Sequence, residues 1–217
     1  SIKDSTSTGE DGYSYIKKHI LDGNDVDIFF HNWELDMENR LLDLYKPKKY
    51  IIETQIDFNK IADDNKVSRS HLDTDNQLGS WGMVDKSGDG YVGPERLLSQ
   101  FYSVQKSMEL KKQYEEENNF KYDCVIKSRF DLGRINRKTS GPGKALDMNY
   151  FYQVYWDLFN EGPADMWYYS SSKNMDNFCK LYDKVLKEYL PIGSDYHKAV
   201  VEGWPQSKQD DFRTNIE

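Results

Sequence analysis

The first quarter of the chain switches between two hydrophobic periods, and that switch constrains the fold more than any other feature. Tyr13, Ile16, Ile20 and Leu21 recur at helical spacing, and Gly23 is a natural stop. Residues 26–30 (VDIFF) are a short β-rich run leading into His31, Asn32, Trp33 and Glu34. Met37, Leu41, Leu44 and Tyr45 mark a second helix that ends before Pro47. Residues 49–56 (KYIIETQI) read as a second strand. Helix, strand, helix, strand predicts an α/β fold with a mostly parallel central sheet and helices on both faces.

Residues 57–93 break the pattern. They are rich in Asp, Asn, Ser and Gly and keep no period, so they read as a long polar insertion within a single domain spanning 1–217. Pro94 then opens the strongest helix, with Leu97, Phe101, Val104 and Met108 on one face and Leu98 beside them. Its end, residues 111–117 (KKQYEEE), reads as a solvated charged face. Residues 122–126 (YDCVI) predict a third strand that runs out through Arg129 and Asp131. Residues 150–156 and 166–169 read as further strands. Ser171 or Ser172 caps a helix whose buried stripe is Met175, Phe178, Tyr182, Val185 and Tyr189.

Composition excludes several classes. A formal net charge of −8 argues against a dedicated nucleic-acid binder, which shows a basic surplus or stripe. Aromatic residues make up 14% of the chain, too many for a disordered one. No apolar run approaches the roughly 18 residues of a membrane span. Cys124 and Cys179 each sit in an apolar-periodic segment, which predicts two buried free thiols and a reducing, cytosol-like compartment.

The motifs are weighed by spacing. Asp85, Ser87, Asp89 and Gly90 match a calcium loop, but Arg96 stands where the bidentate Glu belongs, so a plain turn is the better reading. Residues 141–144 (GPGK) lack the other positions of a phosphate loop. Asp25 with Asp27, and Asp73 with Asp75, read as strand-entry and loop charges. His197 is a lone late histidine. Asp131 differs, because it lies just past an apolar strand, where a parallel sheet places its ligand crevice. A carboxylate there can hold Mg²⁺ or Mn²⁺ against a diphosphate. Arg129, two residues earlier, shares its side of an extended chain, and its planar fork suits phosphate. His31 and Trp33 follow a strand, and Thr54 and Gln55 come late in another; parallel strands bring all of them to one edge. Ser103 and Lys106 lie off the apolar stripe of the long helix and can face that edge.

Residues 101–132 (FYSVQKSMELKKQYEEENNFKYDCVIKSRFDL) and 165–182 (DMWYYSSSKNMDNFCKLY), with VDIFFHNWE and KPKKYIIETQIDF before them, resemble a group of glycosyltransferases from bacteria, phages and large DNA viruses. That group is related to lipopolysaccharide-synthesis proteins of the WavE type. The resemblance spans most of the chain outside 57–93. It implies a GT-A type fold with Rossmann-like nucleotide-sugar binding. It also implies transfer of a sugar from a nucleotide-diphosphate donor to a glycan, a lipopolysaccharide-like molecule or another hydroxyl acceptor, in the cytoplasm of a bacterium or of a virus-infected cell.

By that analogy Arg129-Phe130-Asp131 stands where many GT-A enzymes carry Asp-x-Asp. Asp131 is then the metal ligand, for Mn²⁺ or Mg²⁺, and the first acidic place is an arginine. His31, Trp33, Thr54, Gln55, Ser103, Lys106 and Arg129 become donor-binding candidates. Asp165 is the candidate base for an inverting enzyme, with Glu161 and Asp157 behind it. Two alternatives from other classes are a silent sugar-nucleotide or glycan-binding module of the same fold, and a calcium-binding interaction domain at 85–95.

Overall fold

The alternation of the first quarter produces a parallel strand pair with a helix between its members. The computed structural model describes residues 13–67, 94–130, 146–153, 167–195 and 198. Within these, β1 (Phe29–Asn32) pairs in parallel with β2 (Lys49–Ile52), Phe30 opposite Tyr50 and His31 opposite Ile51. Helix α1 (Glu38–Tyr45) connects them. It buries Leu41 and Tyr45 against Phe30, with Ile28, Leu44 and Ile52 packed around. Burying each such side chain contributes about 1.5–3 kcal/mol. Lys46 ends the helix in the left-handed region, φ 43°, its N–H donating to the Leu42 carbonyl at 3.0 Å. Pro47 then prevents continuation.

The chain divides into two compact units. The first holds Ser1–Thr54, Lys106–Trp156 and Gly162–Phe178; the second holds Gln55–Gln105, Asp157–Glu161 and Cys179–Glu217. The long helix α3 (Pro94–Asn118) contributes its residues from Lys106 onward to the first unit. There Tyr114 meets Phe29 at 5.5 Å between ring centres. Phe29 and His31 share one face of β1, and Phe30 has the other. Helices therefore cover both faces of the strand pair, which is why Phe30 and His31 are both buried.

The same unit contains an antiparallel sheet in the order β3 (Val125–Lys127), β5 (Tyr168–Ser170), β4 (Tyr152–Gln153). Helix α4 (Ser172–Phe178) lies against one face, where Phe178 meets Phe151 at 5.2 Å and Tyr168 at 5.1 Å. Among the described residues the fold is thus mixed α/β, with a two-stranded parallel sheet and a three-stranded antiparallel one. The expectation of one mostly parallel sheet is corrected for β3, β4 and β5. Their exposed positions, such as Ile126 at 43%, suit antiparallel pairing, which tolerates a face in water, whereas parallel sheets are covered on both sides.

The second unit opens with α2 (Phe58–Asp64), capped by Asp57, whose Oδ1 accepts from the Lys60 N–H at 3.1 Å. The front of the expected polar insertion is therefore helical, with Phe58 and Ala62 buried, and 68–93 lies outside the described residues. Val67 bridges Pro191, and Phe58 meets Tyr102, which meets Tyr182. The expected continuous helix after Ser171 is divided into α4, α5 (Leu181–Lys184) and a π turn, Val185–Tyr189. Gly193, at φ 83°, follows where the chain turns through the left-handed region.

Other boundaries shift in instructive ways. The first strand begins at Phe29 rather than Val26, which is 38% exposed. Asp27 instead accepts the Tyr122 hydroxyl at 2.6 Å and pairs with Lys48 at 3.4 Å. The second strand stops at Ile52, not Ile56. Cys124 and Cys179 are free as expected, but Cys124 is exposed and Cys179 half-buried, because the periodic segments holding them present these positions outward.

Candidate functional site

The carboxyl ends of β1 and β2 gather the chemistry-bearing groups of the first unit. The Asn32 carbonyl accepts from the Glu53 N–H at 3.1 Å, extending the ladder by one rung before the strands part. His31 is shut from water, and its Nε2 lies 2.9 Å from Glu53 Oε1. Trp33 stands edge-on to the His31 ring at 4.3 Å between centres. Burial pushes the imidazole below its ordinary 6.5; the Glu53 carboxylate opposes this, and the Lys106 ammonium adds to it. The neutral ring is thus favoured at pH 7, with its N–H donating to Glu53. Lys106, on α3, is close enough to act on His31 and donates to Glu109 at 2.9 Å. Thr54 is exposed just past Glu53.

Arg129 comes to the neighbourhood of β1 through its successor. Phe130 meets Phe30 at 5.7 Å and Tyr45 at 5.1 Å, joining the α1 face of the strand pair. Arg129 itself is exposed. His31, Trp33 and Lys106 thus lie near one another, with Thr54 following Glu53 in the chain, whereas Arg129 precedes a ring that packs on the opposite, Phe30 face of β1. Gln55 and Ser103 belong to the second unit. Gln55 Nε2 donates to Ser99 Oγ at 3.1 Å, and the Ser103 hydroxyl donates to the Ser99 carbonyl at 2.9 Å. Asp131, Asp157, Glu161, Asp165 and His197 lie outside the described residues, as do the 73–75 and 141–144 motifs and residues 85–93 of the calcium-like loop.

Glu53 was missed as a site residue because the second strand was carried through to Ile56. The signal was present: a charged residue closing an apolar β-branched run marks where a strand leaves its sheet. Among the described residues no group of three or more His, Cys, Asp or Glu could hold a metal ion. Nor, among them, is any helix long and apolar enough to cross a membrane.

A second polar cluster lies deeper. Glu115 is completely buried. Its Oε1 accepts from the Ser172 hydroxyl at 2.6 Å and the Tyr122 N–H at 3.0 Å, and its Oε2 accepts from Lys111 at 3.1 Å and Lys121 at 2.7 Å. Lys111 also donates to Ser172 Oγ at 2.7 Å and Asp176 at 2.6 Å. Burial alone raises the carboxyl's pKa, but Lys121, Ser172, Tyr122 and Lys111 together bring it down to about 2. The solvated-face reading of residues 111–117 is corrected here: Lys111 and Glu115, four residues apart, point inward at α4, and only their neighbours face water.

No family model, curated protein or solved structure matches the chain.

Proposed function

We propose that the protein is a glycosyltransferase that moves a sugar from a nucleotide-diphosphate donor to a hydroxyl of a glycan or lipopolysaccharide-like acceptor, on a GT-A type scaffold. The observation that carries the reading is the cluster at the carboxyl ends of a parallel strand pair, the place where α/β sheets bind ligands. His31, Trp33, Glu53 and Lys106 meet there. Trp33 offers a ring to a base, Lys106 a cation to a diphosphate, and Arg129 a bidentate fork. The sequence resemblance supplies the reaction.

In an inverting route the acceptor hydroxyl attacks the anomeric carbon and its proton passes to a carboxylate, for which Asp165 is the candidate. The bond from that carbon to the phosphate oxygen breaks, and the nucleoside diphosphate leaves with the electron pair. Cations at the edge stabilise the charge that builds on the leaving group. Asp131 is the residue that would hold Mn²⁺ or Mg²⁺. Among the described residues no group of His, Cys, Asp or Glu forms a ligand set for the ion.

Incubating the protein with a panel of nucleotide sugars and glycan acceptors, with mass detection of products, tests the reading. A product longer by one sugar supports it. A specific observation favours the silent binding module as the second reading: an exposed arginine, Arg129, occupies the first acidic place of the metal motif. Donor binding by calorimetry without any product selects that module. Calcium binding without nucleotide binding selects the interaction domain.

A further inference from the structure

The geometry points to the outer ring face of Tyr152, with the Asp147 carboxylate at its hydroxyl end, as a platform for one sugar ring of an uncharged glycan. The inference rests on the glycan-acceptor part of the reading above and gives that acceptor a place, on the antiparallel sheet.

Alternation along β5 puts Tyr168 on the face that α4 covers and Tyr169 on the opposite one. Ile126 and Tyr152 stand opposite Tyr169 in register, and Ile126 is largely exposed, so this face is open to water. Tyr152 stacks on Tyr169 at 4.9 Å between centres, 10° from parallel, and Trp167 stacks on Tyr169 at 5.1 Å and 22°. The three rings form one stack with Tyr152 at an end. Among the described residues β4 is an edge strand, so the second face of the Tyr152 ring is turned off the sheet.

The loop before β4 is held unusually firmly. The Asp147 carbonyl accepts from the Tyr152 hydroxyl and the Tyr150 N–H, each at 3.0 Å. The Met148 carbonyl accepts from the Ser171 N–H at 3.3 Å, Asn149 from Asn174 Nδ2 at 3.1 Å, and Tyr150 from the buried Ser170 hydroxyl at 2.7 Å. Four successive carbonyls are thus satisfied, yet the loop holds Leu146 and Tyr150 out in water, Tyr150 at 65%. A surface loop fixed before any ligand arrives loses little entropy on binding.

Charge selects the occupant. Segments 124–127, 146–153 and 167–170 carry charge only at Lys127 and Asp147. Lys127 lies over Tyr168, on the α4 side. The platform side therefore has one carboxylate, in a chain of net charge −8, and repels phosphate or sulfate. Asp147 Oδ1 already accepts from the Asn149 N–H and Nδ2, at 2.9 and 2.8 Å. What remains is Oδ2, an acceptor beside an aromatic ring. A sugar ring matches both: its C–H face lies on the ring, and a hydroxyl at its rim donates to the carboxylate. An apolar protein face would leave that carboxylate desolvated and unmet.

Calorimetric titration of the full chain with maltohexaose, cellohexaose, mannohexaose and chitohexaose, beside a heparin hexasaccharide, oligo-dT and oligolysine, tests the inference. At least one uncharged oligosaccharide should bind. Tyr152→Leu, which keeps apolar bulk without a flat ring, should weaken it about 10-fold, and Tyr152→Phe should retain it. Asp147→Asn should also weaken it about 10-fold, and covers the case in which Tyr152→Leu does not fold. Affinity unchanged in either variant that folds overturns the inference and leaves the acceptor reading standing. Binding of the charged probes alone overturns it in favour of a charged partner, and binding of no probe overturns it outright. Product formation in the nucleotide-sugar assay decides the transferase reading separately: platform-dependent binding without product keeps the inference and selects the silent module.

Discussion

The two polar clusters of the first unit use the same residue types to opposite ends. Around Glu115 both carboxylate oxygens accept two hydrogen bonds each, and Lys111 spends its three donors on Glu115, Ser172 and Asp176. Lys111, Glu115 and Ser172 are shut from water, and only Lys121 and, in part, Asp176 reach it. At the ends of β1 and β2 the buried partner is a histidine, and the carboxylate it holds stays at the surface. A saturated network inside a protein fixes position. A half-buried pair presents a group. Burial of charge alone does not mark a site; how much of the partner reaches water does.

The contrast can be broken by substitution. Glu115→Ala leaves Lys111 buried beside only Asp176 and Ser172, and removing one partner of a buried ion pair costs about 3–5 kcal/mol. Urea unfolding should show this loss, while nucleotide binding by the folded fraction stays as in the wild type. Arg129→Lys and Asp131→Asn should do the reverse. Asp131→Asn removes a charge from the proposed donor site, and Arg129→Lys keeps the charge but loses the bidentate fork; loss of a charged hydrogen-bonding interaction there is worth roughly 1.5–3 kcal/mol, or about 10- to 150-fold in donor affinity by calorimetry. Added Mn²⁺ should no longer strengthen binding in Asp131→Asn, and the ligand-free melting temperature should barely move in either variant.

Acid sharpens the comparison, because the clusters fail at different pH. Burial, outweighing Glu53, holds His31 below 6.5 in the folded chain, so the unfolded chain takes up this proton first. Stability falls as pH drops from neutrality through that region, and His31→Gln should flatten this part of the curve. Glu115 is held at about 2 against an ordinary 4.5, so its contribution persists well below the His31 range and is lost only as pH falls from about 4.5 towards 2. Urea midpoints measured across the acid range should resolve the two losses. The smallest effect belongs to Lys60→Ala, which breaks an exposed pair with Asp64 and should leave the melting temperature unchanged.

The parallel start was legible because β1, α1 and β2 carry their periods locally, and Phe30, Leu41 and Tyr45 form the core that those periods predict. The strand ends were less so. Whether Ile56 stays in a sheet depends on a neighbour to pair with, and β1 offers none beyond Asn32. The Lys111–Glu115 pair was read as surface because charge spacing is the same on a wet face and a buried one; only Ser172 and Asp176, more than fifty residues away in sequence, decide between them. Within the site, His31, Trp33 and Lys106 followed from strand and helix position. Glu53 required the exact point where β2 leaves the sheet, and Gln55 and Ser103 fell on the far side of a boundary between units that no composition shift announces.

The hydroxyl that Tyr122 gives to Asp27 sets a limit at the other end of the pH scale. Burial and the Asp27 carboxylate push its ionisation far above 10, and burial pushes Tyr45 up to about 12. A phenol that keeps its proton in the folded chain, but sheds it near 10 in the unfolded one, stabilises the fold fully only below that point. As base is added, the unfolded chain gains two phenolates that the native one refuses. Alkaline denaturation should therefore coincide with a step in tyrosinate absorbance, with these two rings ionising only as the fold gives way.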